Sequence, residues 1–100
     1  MLNDSFMISA THPSLDGHFP GHPIVPGVVI LDHVVNGLIS QLHGVSLDGI
    51  HQVKFFRPLF SDVVVTVTYQ PKSEFLYQFS CECNSSVMVS GQIRLIMCEV

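Results

Sequence analysis

Apolar and polar residues along this chain change rhythm twice. From Ser5 to Thr11 they alternate, with Phe6, Ile8 and Ala10 on one side, which predicts a first strand that Pro13 ends. Between Ser14 and Pro26 neither a strand nor a helix period survives. Pro13, Pro20, Pro23 and Pro26 stiffen this stretch, while Gly17, Gly21 and Gly27 let the backbone turn or meet a ligand closely, so it reads as a rigid loop. Helical spacing then runs from Pro26 to about His43. Val28, Leu31, Asp32, Val35, Leu38, Ile39 and Leu42 form one stripe, Pro26 suits a first helical position, and His43-Gly44 suits the last turn and its glycine cap. The other side carries Val29, Ile30, His33, Val34 and Asn36. A helix apolar around most of its circumference is expected to be buried.

Alternation returns after the helix. It predicts strands over Ile50–Phe56, stopped by Arg57-Pro58, over Asp62–Tyr69, over Glu74–Asn84 and over Ser86–Cys98. Val63, Val65, Val67 and Tyr69 share one face of the second of these. Phe75, Tyr77, Phe79, Cys81 and Cys83 share a face of the third, and Val87, Val89, Ile93, Leu95 and Met97 turn inward from the last. Asn84-Ser85 is a tight turn between the final two strands. One buried helix with four or five long antiparallel strands is an α+β architecture, a single sheet curved around the helix, in one domain spanning residues 1–100.

Composition narrows what such a domain does. With 100 residues and 47% hydrophobic content, the chain has enough apolar material for a core; a domain this small and this poor in charge points to a partner subunit. Only four Lys and Arg residues and a net charge of −4 argue against nucleic acid, which needs clustered cations. No basic-then-apolar leader opens the sequence and no apolar run approaches a membrane span. Cys81, Cys83 and Cys98, an odd set without a leader, read as reduced thiols of a cytoplasmic protein, with Cys81 and Cys83 as small buried side chains. His18, His22 and His33 do not make a metal site, because the first two lie in a proline-broken loop rather than four residues apart on a helix; no metal and no cofactor is expected. His12, His43 and His51 read as strand-end, cap and strand-surface residues.

The chemistry gathers around the start of the helix. His18 sits in the rigid loop, Asp32 stands alone among apolar helical residues, and Val25-Pro26-Gly27 offers no Ser, Thr, Asp or Asn to cap the first turn. The N–H groups there stay free, the positive end of the helix dipole favours a developing anion, and Gly27 lets a carbonyl approach closely. An imidazole, a carboxyl expected to be buried, and an uncapped helix start are the parts of an acid/base site.

The run Gly17-His18-Phe19-Pro20-Gly21-x-Pro23-x-x-Pro26-Gly27-Val28, with Asp32 fourteen residues after the histidine, resembles the β-hydroxyacyl-acyl-carrier-protein dehydratases of the hotdog fold. Val53-Lys54-Phe55-Phe56-Arg57-Pro58 and Asp62 echo a second stretch of that family. The short chain, with His22 and Asp32, is most similar to the small stand-alone dehydratases of the aryl-polyene type. The resemblance implies dehydration of a 3-hydroxyacyl thioester on acyl carrier protein to the trans-2-enoyl thioester, in fatty-acid or polyene-type biosynthesis. His18 would take the α-proton, Asp32 would orient or protonate the β-hydroxyl, and Gly27 and Val28, with Phe19 and Leu31, would hold the thioester and acyl group. Many members carry Glu at the position of Asp32; the branch that also isomerises carries Asp, so isomerisation stays open. The family also implies a homodimer, or a multiple of one, with His18 of one subunit facing Asp32 of the other and the acyl chain lined by Val28, Leu31, Val35 and aromatic strand residues. Because carrier proteins are acidic and this chain is too, docking would rely on a local patch such as Lys54 and Arg57. A hotdog thioesterase and a non-catalytic dimeric binding module are the alternatives. Thioesterases of this fold do without the histidine of the His-Phe-Pro-Gly loop, and a module has no reason to keep His18, Gly27 and Asp32 together.

Overall fold

A computed structural model describes residues 1–9 and 24–98. Its elements are β1 (Leu2–Met7), α1 (Gly27–Ile39), β2 (Val45–Phe55), β3 (Val64–Ser73), β4 (Leu76–Cys83) and β5 (Ser86–Met97). The strands form one sheet in the order β1-β3-β4-β5-β2, with every described neighbour antiparallel. The chain leaves β1 at one edge and re-enters as β2 at the other. α1 packs against both edge strands, so it spans the face of the sheet between them.

The inner face of the sheet is assembled by alternation. Val65, Val67 and Tyr69 of β3, Phe79 and Cys81 of β4, and Val89, Ile93 and Leu95 of β5 are all buried, as their spacing requires. Against them α1 sets Ile30, Val34, Val35 and Leu38. Each such side chain removed from water contributes about 1.5–3 kcal/mol, so these residues supply most of what holds the helix to the sheet. The phenol of Tyr69 reaches through this layer and donates a 2.6 Å hydrogen bond to the carbonyl of Val34. Burial, then the nearby Asp4 and Cys81, hold that phenol well above the ordinary tyrosine range. Burial likewise pushes the Cys81 thiol up to about 12, which keeps it protonated and inert.

Asn84 and Ser85 take φ angles of 51° and 65°. Two successive left-handed residues make the type I′ turn whose twist matches its flanking strands, and Cys83 pairs with Ser86 across it. The first strand starts three residues earlier than its alternation indicates, at Leu2, and ends at Met7. Phe6 does point inward with the buried Ile8, whereas Ala10 and Thr11 lie outside the described residues. The helix ends at Ile39 instead of His43. Gln41 and Leu42 donate to the carbonyls of Leu38 and Ile39 in a tightened last turn, and Gly44 serves a different purpose, taking φ 71° where the chain swings into β2.

The helix is also less enclosed than its composition indicates. Its buried arc is centred on Ile30 and Val34, which spacing assigns to the side away from the main stripe, and on Leu38 at the edge of that stripe. Val28, Asp32, Asn36 and Ser40, at four-residue intervals, are exposed along the other flank. Val87 and Met97, expected inside, are exposed near the ends of β5.

β2 departs furthest from a simple strand. It begins at Val45, five residues before its regular alternation, and carries two bulges against β5, between Leu47 and Gly49 and between His51 and Lys54. Leu47 pairs with the buried Leu95, Ile50 with Ile93 and Phe55 with Val89, so the inward set is spaced irregularly through the strand. Each extra residue shifts the side-chain parity by one. Gln52, at φ 53°, absorbs the second shift.

Candidate active site

Helix α1 starts without side-chain help. Pro26 is the N-cap, with φ −59° and ψ 143°, and no side chain caps the first turn. Val29 and Ile30 donate to the Pro26 carbonyl at 3.0 and 3.3 Å. Proline has no N–H of its own, so Gly27 and Val28 present the two N–H groups that geometry leaves over at the helix start. They lie at the positive end of the dipole, where a developing oxyanion is stabilised.

Val25 fixes this helix start to the sheet. Its N–H donates at 2.8 Å to the carbonyl of Leu59, and Ile24 bridges Phe60, so the chain entering α1 is stitched to the segment that follows β2. That stitching builds a cleft of about 260 Å³ lined by Val25, Gly27, Ile30, Phe55, Arg57 and Leu59, among others. Phe55 closes one side of it. A Cβ placed on Gly27 would lie 2.9 Å from Cζ and 3.1 Å from Cε1 of that ring.

Asp32 is five residues further along, about 7.5 Å of axial rise at 1.5 Å per residue. It is exposed, which corrects the expectation of a buried acid: its neighbours in sequence are apolar, but the flank that bears it faces away from the sheet. The carboxyl borders a groove of about 240 Å³ formed by Val28, Leu31 and Val35 of the helix and by Leu47 and Ile50 of β2. The three helical positions expected to line an acyl chain are therefore there together. The strand wall is aliphatic rather than aromatic, because the bulges turn Leu47 and Ile50 toward the helix and place Phe55 over Gly27 instead.

The remaining candidates divide. Arg57 reaches the cleft at the helix start. Lys54 does not: it pairs with Ser90, on the opposite side of the strand from Phe55, and joins Gln52, Gln78 and Gln92 in a polar hollow on the outer face of the sheet. Arg57 also lines a second hollow, which shares Gln78 and Ser90 with the one around Lys54. His18 and Phe19, with His12 and His22, lie outside the described residues. His33 stacks on Phe6, with ring centroids 4.8 Å apart and planes at 12°, which gives it a packing partner on the side of the helix away from the groove. Among the described residues no group of three or more His, Cys, Asp or Glu side chains is placed to hold a metal ion. No helix among them is long and apolar enough to cross a membrane. Phe55, Leu47 and Ile50 are the site-lining residues that sequence reasoning missed. The signal for Leu47 and Ile50 is their three-residue spacing across Asp48-Gly49, which marks a bulge once β2 is known to begin at Val45.

Comparison with known proteins agrees with this geometry. The model of the ApeI-like family, described as ApeI dehydratase, matches residues 3–92. A 3-hydroxyacyl-[acyl-carrier-protein] dehydratase FabZ from Ehrlichia chaffeensis is 29% identical over 97 residues, covering 89% of this chain and 68% of that protein. The chain spans only 44% of the length of a Thermus thermophilus FabZ. Among solved structures, the dehydratase heterocomplex ApeI:P from Xenorhabdus doucetiae superposes with a TM-score of 0.80 at 26% identity, covering 97% of this chain and 86% of that one. An acyl-CoA hydrolase mutant from Staphylococcus aureus shares the fold alone, with a TM-score of 0.71 at 11% identity over 98% of this chain and 64% of that one. The sheet curved on one helix is thus a hotdog fold, and the chain belongs to the ApeI-like dehydratase family.

Proposed function

We propose that this protein dehydrates a 3-hydroxyacyl group carried on acyl carrier protein, releasing water and leaving the trans-2-enoyl thioester. The observation that carries the reading is the placement of Asp32 on the wall of an apolar groove, one and a half turns from an uncapped helix start. The thioester carbonyl accepts from the N–H groups of Gly27 and Val28. Its C2 hydrogen leaves as a proton to the imidazole of His18, the negative charge gathers on the carbonyl oxygen, and the C3–O bond breaks as Asp32 delivers a proton to the departing hydroxyl. The acyl chain beyond C3 follows Leu31, Val35, Leu47 and Ile50. The FabZ relatives and the ApeI-like family support the substrate class, and the Xenorhabdus dehydratase heterocomplex supports the dehydratase reaction. Arg57, beside the helix start, is the better placed of the two cations to meet the carrier's phosphorylated arm.

The exposed flank of α1 and the open edge of β2 favour a site completed by a second copy of the chain, with His18 of one protomer serving Asp32 of its partner. Mixing inactive His18→Ala and inactive Asp32→Asn proteins under conditions of subunit exchange tests both claims. Heterodimers would contain one complete site, so enoyl absorbance should return with a 3-hydroxyacyl thioester. Exchange without recovery would place both residues in one chain's site. Wild-type protein that liberates free thiol instead of enoyl product would be a thioesterase, the activity class of the Staphylococcus fold relative, and silence in both assays would leave a binding module.

A further inference from the structure

Phe55 stands where three features meet. It is the last residue of β2, it faces the helix side of the sheet opposite the buried Val89, and its ring tip fills the space a side chain at position 27 would occupy. The second bulge of β2 is what sends it there. Without the extra residue between His51 and Lys54, strand parity would turn Phe55 to the outer face. The ring is 52% exposed, so core packing does not account for its position. It nonetheless walls the cleft at Gly27, the start of the helix whose free N–H groups would receive a thioester oxygen.

We propose that Phe55 is a specificity-determining residue: its ring occupies the space over Gly27 and restricts the site to acyl thioesters unbranched at C2. The inference rests on the dehydratase reading above. An oxygen held about 3 Å from the Gly27 or Val28 nitrogen brings C2 within two bonds of that oxygen. A methyl group on C2 then competes with the tip of the Phe55 ring for the same volume, whereas a hydrogen does not. A 2-methyl-3-hydroxyacyl thioester still has one C2 hydrogen and a C3 hydroxyl, so elimination of water is open to it chemically and only the fit differs. The longer part of the chain lies along Leu31 and Val35, away from the ring, and should be indifferent to it.

The test compares kcat/KM for a 3-hydroxyacyl thioester and for both C2 epimers of its 2-methyl analogue. Wild-type protein should favour the unbranched substrate by at least tenfold over either epimer. Phe55→Ala should shrink that preference by about tenfold, chiefly by accelerating the branched substrate, with its melting temperature close to that of wild type; Phe55→Leu should fall between. If Phe55→Ala fails to fold, the leucine variant carries the comparison. A preference unchanged in a folded variant, or no preference in wild-type protein, overturns the role of Phe55 and leaves the dehydratase reading standing. Absence of enoyl product from wild-type protein with the unbranched substrate overturns both.

Discussion

The two long flanks of α1 both carry apolar residues and meet opposite fates. One, centred on Ile30, Val34 and Leu38, is sealed against the sheet and pinned by the Tyr69 hydroxyl on the Val34 carbonyl. The other carries Val28 at 75% exposure with Asp32 a turn beyond it, and looks across a groove to the open edge of β2. The sealed flank is explained by packing within the chain. The open flank is not, since a valine and an aliphatic groove gain nothing from exposure to water. Where one helix is apolar around most of its circumference and only half covered, the uncovered half marks what the chain meets from outside.

The comparison breaks most visibly at Asp32. Asp32→Asn should lower turnover of a 3-hydroxyacyl thioester by roughly 100-fold or more, the scale of a positioned acid or base, while leaving the thermal midpoint nearly unchanged. A mutant that unfolds instead would make Asp32 a structural residue and erase the distinction between the flanks. On the sealed side the order reverses. Leu38 is fully buried, so Leu38→Ala should cost about 2–5 kcal/mol in denaturant unfolding; a loss well under that range would show that the helix is loosely seated. Tyr69→Phe sharpens the same side. It removes the donor but spares the ring, and the Val34 carbonyl keeps its helical partner, so the loss should be about 1 kcal/mol. A neutral substitution would mean that packing alone sets the helix on the sheet.

How far these flanks could be read from the sequence differs by element. Pro26-Gly27 announced the helix start because proline cannot donate and glycine cannot cap through a side chain. Asn84-Ser85 announced the turn because both residues tolerate positive φ. The inner faces of β3 and β4 followed from strict alternation. The orientation of α1 did not follow: helical spacing says which residues share a flank, and with both flanks apolar it does not say which one meets the sheet. Tertiary contacts with β1 and β2, and the Tyr69 hydrogen bond from β3, decide that. β2 was half legible for a different reason, since two inserted residues break the period on which strand reading depends. Phe55 was quoted in the sequence as part of a motif, but its seat over Gly27 follows from the second bulge, which a period-two reading does not register.

Those bulges bear on solubility as well. An edge strand with exposed Leu47 and Phe55 would ordinarily invite indiscriminate strand addition and open-ended growth into fibrils. A strand bent twice, with Gln52 in a left-handed conformation at the second bend, offers an incoming chain only short stretches of regular backbone, of which Val45–Leu47 and Gly49–His51 are the longest. Flat, extended peptides find little there to template on, and a neighbour that does pair must share the local twist. The same inserted residues that aim side chains at the helix thus keep a sticky edge from becoming an aggregation seed.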